Sequence, residues 1–407
     1  MRKFLNSLIC LRSQTLLFHG IIKVNTINVE GHMLLQSRLL VSTVQLAPDN
    51  RVLFLNSAAD SFVSSVAGQL GTGTITLAED NIASLHAALQ KAERIGLAAN
   101  HLRHVAFHEY TLREPAATVD VAIMNLLYQP GNIWVLYGLQ VASYALKPGG
   151  RLYMVGARDR GVLSIAKRMQ EYFGNVETLA ISKGYRVVCS RNLFSGEKTW
   201  IPVPQTGFQQ GVTCPPDRVP LHLNPPASDR QNVVDSSSPL VSLVFSDGKL
   251  DEGTRLLLEA LEVRATDEAL DIGCGAGFIG IHIARLANRG KVTMVDASLA
   301  SIAVAERRVA ESGLANIRVL ASDGAQAVLQ QRFDLVVTNP PFHMGGIQTT
   351  EIAQRFIREA AQILKARGRF YLVANRFLKY EPALRVHFKT VDEIGGNTRY
   401  KVLRALS

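Results

Sequence analysis

Glu268-Ala269-Leu270-Asp271-Ile272-Gly273-Cys274-Gly275-Ala276-Gly277-Phe278-Ile279-Gly280 is the stretch on which the fold turns. A short apolar run meets alternating glycines and then continues with helical apolar spacing, which reads as strand, tight loop and helix. Gly273, Gly275 and Gly277 let the backbone turn sharply and approach a ligand where a Cβ would collide, and the helix start behind them presents aligned N–H groups. Outward from this point, Val292 to Asp296 and Asp334 to Thr338 read as further strands, and Ile302 to Ser312 and Ile352 to Lys365 as amphipathic helices. Short strands alternating with helices build a mostly parallel sheet covered by helices, so an α/β, doubly wound, Rossmann-like domain is predicted.

The pattern occurs twice. Leu53-Phe54-Leu55-Asn56 aligns with Leu270-Asp271-Ile272-Gly273, Thr76-Leu77-Ala78-Glu79 with Thr293-Met294-Val295-Asp296, and Gly96-Leu97 with Gly313-Leu314, each pair 217 positions apart (296 − 79 for the acidic residues). Further on, the run from Val119 to Tyr128 aligns with that from Phe333 to Phe342, and Leu146-Lys147-Pro148-Gly149-Gly150-Arg151 with Leu364-Lys365-Ala366-Arg367-Gly368-Arg369. Two tandem domains are therefore predicted, over residues 33–195 and 240–407, joined by a connector over 196–239 rich in Pro, Ser, Gln and Asn. Residues 1–32 carry Arg2 and Lys3 ahead of Leu8-Ile9-Cys10-Leu11, but Arg12, Ser13 and Gln14 break the apolar stretch, so they read as a poorly ordered extension or the product of an upstream start site, and not as an export signal.

Lys and Arg number 44 against 34 Asp and Glu, a net charge of +10 that suits a polyanionic partner and is equally compatible with a generally basic surface. No apolar run reaches the roughly 18 residues that span a bilayer, so no membrane association is predicted. Cys10, Cys189, Cys214 and Cys274 lack the paired spacing of a zinc site and are too few to staple a chain of 407 residues, which points to a reducing cytoplasm.

The candidate ligand groups follow the strands in order. Asp271 suits a cationic or N–H-rich group, Asp296 can accept both hydroxyls of a ribose, and Asp323 adds an acceptor for an adenine amino group. Because Gly275 to Gly280 also satisfies GxGxxG, the loop alone does not separate S-adenosylmethionine from a nicotinamide dinucleotide. Any one carboxylate could be a helix cap, but capping explains the ordered set poorly. Asn339-Pro340-Pro341-Phe342-His343, at the end of an apolar strand, decides in favour of methyl transfer to a conjugated amino group. Such a nitrogen is a poor nucleophile until its N–H bonds are held; the Asn339 side-chain oxygen, which also borders the cofactor, and the Pro340 carbonyl can each accept one. Proline stiffens the loop, and Phe342 can stack on an extruded base. Catalysis then rests on positioning, with no metal required. Lone His343 reads as an entrance or phosphate contact, or as a surface histidine.

With these residues in place, the chain resembles the ribosomal RNA guanine-N2 methyltransferases, the family of small subunit methyltransferase C and large subunit methyltransferase G. The likeness runs through the second domain in Phe245 to Thr254, Asn339 to His343, Val373 to Tyr380 and Arg399 to Ala405. It implies methyl transfer from S-adenosylmethionine to N2 of one guanine in rRNA, and Gln348-Thr349-Thr350 points to 16S rRNA in the 30S subunit over 23S rRNA. It also implies a first domain that has lost its site, and a monomer is expected. There the glycines are replaced by Asn56, Ala58 and Asp60, and Asn125-Leu126-Leu127-Tyr128 lacks both prolines, so no cofactor binding is expected. Pro341, His343, Arg376 and Lys379 are the expected RNA contacts, with Arg399 nearby; Arg151, Arg158, Arg160, Lys167 and Arg168 offer a second basic face or an ordinary solvated one. The rivals are protein-glutamine and adenine-N6 methyltransferases, which share Asn-Pro-Pro, and a nonenzymatic RNA-binding assembly factor.

Overall fold

Glycines at left-handed dihedrals set the turns of the second half: Gly273 (φ 72), Gly275 (φ 52) and Gly277 (φ 83) carry the chain from strand to helix. The computed structural model describes residues 33–95, 101–193, 243–244, 250–341, 343–344, 347–348 and 350–407; the expected extension, the 196–239 connector and Phe342 lie outside the described residues. The first half runs α1 (Leu35–Thr43), β1 (Arg51–Leu55), α2 (Phe62–Ala67), β2 (Thr74–Glu79), α3 (Ile82–Arg94), β3 (Leu102–Ala106), α4 (Tyr110–Arg113), β4 (Val119–Asn125), α5 (Asn132–Ala145), β5 (Leu146–Ala157) and α6 (Val162–Phe173). It closes with the hairpin β6 (Glu177–Ser182) and β7 (Tyr185–Arg191). The second half runs α7 (Glu252–Ala260), β8 (Glu268–Ile272), α8 (Phe278–Leu286), β9 (Lys291–Asp296), α9 (Leu299–Ser312), β10 (Ile317–Ala321) and β11 (Phe333–Thr338). After the small hairpin β12 (His343–Met344) and β13 (Ile347–Gln348) come α10 (Glu351–Ile363), β14 (Leu364–Asn375), α11 (Glu381–His387), β15 (Thr390–Gly396) and β16 (Tyr400–Leu406).

Each half forms a seven-stranded sheet with the same order, β3-β2-β1-β4-β5-β7-β6 and β10-β9-β8-β11-β14-β16-β15. Five strands are parallel and the last two join antiparallel. Successive side chains on a strand face opposite ways. In the first sheet Leu53, Leu55 and Met124 pack with Trp134 and Met169, while Phe54, Ile123 and Tyr153 pack with Leu40 and Phe62. The duplication extends to polar ties: Asp120 accepts from Arg51 N–H (2.8 Å) and Lys147 (2.7 Å), and Asp334 from Glu268 N–H (3.0 Å) and Lys365 (2.9 Å).

Two helix bounds differ from the sequence reading. The helix expected from Ile302 starts at Leu299, because Ser298 caps it by accepting the Ser301 N–H at 3.1 Å. The helix expected to reach Lys365 ends at Ile363, since Leu364 is already extended (φ −70, ψ 141) and Lys365 reaches across to Asp334.

Buried Arg369 of β14 pairs with Asp267, just ahead of β8, and also donates to the Glu262 carbonyl at 2.9 Å. Removing one member strands the other charge away from water, so Arg369→Ala is expected to lower stability by about 3–5 kcal/mol, measured by urea unfolding.

Candidate functional site

The C-terminal ends of β8, β9, β10 and β11 carry the expected ligand groups to one edge of the second sheet, where open α/β sheets bind ligands. Gly273 and Cys274 donate to the Val295 carbonyl (2.8 and 3.0 Å), which folds the glycine loop back over β9. Asp296, at the end of β9, accepts the Gly275 N–H at 2.8 Å on one oxygen and the Ser298 N–H at 2.8 Å on the other. The carboxylate thus holds the loop while each oxygen keeps acceptor capacity.

Asp271 is fully buried; one oxygen accepts the Gly280 N–H at 3.0 Å and the other has no hydrogen-bond partner. An orphaned buried carboxylate oxygen beside a glycine loop fits an ammonium or N–H donor from a ligand. Burial raises its carboxyl to about 7, opposed by the Gly280 N–H and reinforced by the charge of Asp296. Burial also raises Asp296, to about 6, against the Ser298 and Gly275 N–H groups, which lower it. Cys274 is buried and its thiol is pushed up by burial and by both carboxylates, so it packs and is no nucleophile. Asp323 stands two residues beyond β10, its two oxygens receiving Arg355 of α10 at 2.5 and 2.8 Å. On the same helix Glu359 accepts the Ala325 N–H at 2.8 Å, so α10 fixes the whole loop.

Asn339 leaves β11 next to Ile272, to which Thr338 Oγ1 donates at 2.7 Å. Its side-chain nitrogen donates to Thr254 Oγ1 at 3.0 Å and faces Asp251 at 3.4 and 3.5 Å. A carboxylate only accepts, so the amide nitrogen must turn toward α7 and the carbonyl oxygen away from it. Asp251 is also the cap of α7, accepting the Thr254 N–H at 3.1 Å and the Thr254 hydroxyl at 2.5 Å. Both fall in the Phe245–Thr254 stretch of the family likeness, but the sequence reading gave neither a role. The Asp-x-x-Thr spacing ahead of Leu256 and Leu257 signals a helix start, but the contact with Asn339 spans 88 positions.

A cleft between β11 and β14 is lined by Asn339, Pro340, Asn375, Leu378, Tyr380 and Tyr400. The buried Tyr380 hydroxyl there has no hydrogen-bond partner. Pro341 is exposed, and the His343 backbone pairs with Gln348 in the small hairpin. Arg376 is committed elsewhere, donating to the Asn397 carbonyl (2.8 Å) and Glu393 (3.0 Å), and Arg399 rests 3.5 Å from Glu252. Lys379 is exposed near the cleft. In the other half Arg151 is held by Gln45 (3.1 Å) and the Tyr153 hydroxyl (3.0 Å), and Arg168 by Glu171 (2.8 Å).

The first half keeps the scaffold and fills the site. Glu79 accepts the Ala58 N–H at 2.9 Å and the Asn81 N–H at 2.9 Å, as Asp296 does in the second half. Asp60, where the second half has Gly277, accepts from the Ser37 hydroxyl (2.5 Å) and the Asn125 amide (2.8 Å). Buried Gln129 donates to the carbonyls of Asn56 (3.0 Å), Asn125 (3.1 Å) and Leu55 (3.3 Å). These carbonyls are the counterparts of those of Ile272, Gly273 and Asn339, and in the second half the Ile272 carbonyl takes the Thr338 hydroxyl at 2.7 Å.

The family model for the methyltransferase small domain matches residues 27–189 and again 241–404. The ribosomal RNA small subunit methyltransferase C of Shewanella loihica is 30% identical over 373 residues, covering 90% of this chain and 97% of that protein. The chain belongs to the ribosomal RNA small subunit methyltransferase C family. The Shewanella pealeana member is 34% identical over 268 residues, 65% of this chain and 72% of that protein. Among solved structures, the T. thermophilus 16S rRNA N2 G1207 methyltransferase, determined with AdoMet and guanosine, superposes with a TM-score of 0.70 at 27% identity over 91% of each chain. Among the described residues of this family member, no helix is long and apolar enough to cross a membrane.

The raised carboxyls give cofactor affinity a pH dependence. An ammonium at Asp271 and hydroxyl donors at Asp296 favour the ionised forms, so binding releases protons whenever the free protein holds them. Affinity for S-adenosylmethionine is expected to be highest above about pH 8 and to fall as pH drops through about 7 and 6, by up to about tenfold per unit for each titrating group, as read by calorimetry.

Proposed function

We propose that this chain transfers the methyl group of S-adenosylmethionine to N2 of a guanine in 16S rRNA. The observation that carries the reading is the orientation of Asn339: with its nitrogen held by Thr254 and Asp251, its oxygen is turned away from α7 and left as an acceptor, with the Pro340 carbonyl on the next residue. Two converging acceptors suit an exocyclic amino group, whose hydrogens they hold while its lone pair turns out of conjugation. Phe342 is assigned the face of the base, and Pro341, His343, Arg376 and Lys379 the RNA around it; the salt bridge of Arg376 to Glu393 must open for it to serve. The free acceptor on Tyr380 in the same cleft supports a ligand with polar edges.

Asp271, Gly273, Gly275, Gly277, Asp296 and Asp323 would hold the cofactor, with the orphaned Asp271 oxygen toward its amino group and Asp296 toward its ribose. The cofactor supplies an already activated methyl on sulfonium. This chain's residues orient the acceptor nitrogen and exclude water from it, and neither metal nor strong base is invoked. The domains are assigned to 33–195 and 240–407, with the first a noncatalytic copy. The substrate is assigned to the assembled 30S particle and the enzyme to the cytoplasm as a monomer. The small subunit and 16S rRNA methyltransferases among its relatives, together with the basic balance of the chain, support an rRNA substrate.

Labelled methyl transfer into 30S, 50S, naked rRNA and release factor tests the reading. Label is expected in 30S, and label in release factor alone would sink it. Asn339→Ala is expected to lower kcat by about 100-fold or more with cofactor affinity changed far less. Thr254→Val, which keeps the shape and deletes the hydroxyl that fixes Asn339, is expected to lower kcat by about tenfold while the RNA KM holds.

A further inference from the structure

The two halves meet loop to loop across a pseudo-two-fold. The Leu299 N–H donates to the Asp80 carbonyl at 3.0 Å, and the Ile82 N–H to the Ala297 carbonyl at 2.9 Å; residues 80 and 82 occupy the positions of 297 and 299 in the repeat. One bond breaks this symmetry. Asp80 Oδ1 accepts the Ala300 N–H at 2.8 Å, whereas the second half has Ala297 at that position and returns no carboxylate. Each helix already has its own cap, Asn81 for α3 and Ser298 for α9, so the added carboxylate is not needed merely to start a helix.

The extra bond lands on the copy that keeps its site. Ala300 is fully buried in a cluster with Phe107, Tyr110 and Trp134 of the first half, and it lies four residues beyond Asp296. Asp296 in turn grips Gly275 and Ser298, so the segment from Asp296 to Ala300 is fixed by the glycine loop on one side and by Asp80 on the other. Asp80 is itself buried, with His108 Nδ1 3.7 Å from its carboxylate. A buried carboxylate accepting an N–H in the first turn of a 14-residue helix is a strong tie, because the charge, the hydrogen bond and the helix dipole act together.

We propose that Asp80 of the noncatalytic half is a positioning residue for the cofactor site, holding the N-terminus of α9 so that Asp296 presents both oxygens to the ribose hydroxyls. The carboxylate acts through the backbone of Ala300 and touches no ligand. Its negative charge near Asp296 works against ionisation there, so its benefit comes from placement. The proposal rests on the reading of S-adenosylmethionine as cofactor.

Calorimetry of the full chain with adenosine and with S-adenosylhomocysteine tests it, together with KM values for cofactor and RNA. Asp80→Ala is expected to weaken both ligands by a similar factor, about tenfold, because only the ribose contact is disturbed, while the RNA KM is unchanged. Asp80→Asn keeps an acceptor for Ala300 and is expected to recover most of that loss. Unchanged adenosine affinity in Asp80→Ala would overturn the proposal, as would equal losses in the Ala and Asn variants. Should Asp80→Ala fail to fold, Ala300→Pro removes the same hydrogen bond from the helix side at a first-turn position, and unchanged adenosine affinity there overturns the proposal equally. A wild-type chain that binds neither ligand sinks the cofactor reading itself.

Discussion

A carboxylate at the end of the second strand holding the backbone of the loop after the first is the constraint from which the site follows. Glycines free the Gly273–Gly277 loop to adopt left-handed dihedrals, and that freedom costs order unless something fixes the outcome. Asp296 does so with the N–H groups of Gly275 and Ser298, and Glu79 repeats the tie on Ala58 and Asn81. The tie survives where the chemistry has gone, so its first duty is to the loop. Ligand recognition uses the acceptor capacity left over.

Much of this was legible in the sequence, because strand, glycine loop and helix leave local signatures. The 217-residue repeat placed β1 on β8 and β2 on β9 position for position, and Asp271, Asp296 and Asp323 fall at the ends of their strands as expected. What stayed hidden depends on distant segments meeting. Nothing local shows that Asp251 and Thr254 turn Asn339, that Arg355 occupies Asp323, or that Arg376 is committed to Glu393 and Asn397. Basic residues are the hardest to assign from sequence, since a phosphate contact and an internal salt bridge ask for the same side chain.

The two halves form a natural comparison of one scaffold with and without its chemistry. Asn125 and Asn339 end equivalent strands, yet Asn125 turns its nitrogen to Asp60 inside the loop and Asn339 turns its own to α7 outside it. Substituting a glycine by an aspartate thus both fills the loop and redirects the asparagine. The geometry that orients Asn339 is therefore a joint property of the glycine at 277 and the cap of α7.

Gln129 carries a consequence for how the molecule responds to its surroundings. Its amide ties the carbonyls of Leu55, Asn56 and Asn125 together from within the chain, so the first half holds them without a ligand. The second half keeps an unpaired buried oxygen on Asp271 and gains stability in proportion to the logarithm of ligand concentration. Because Asp80 and Ala300 tie the halves together, that gain reaches the folded chain as a whole.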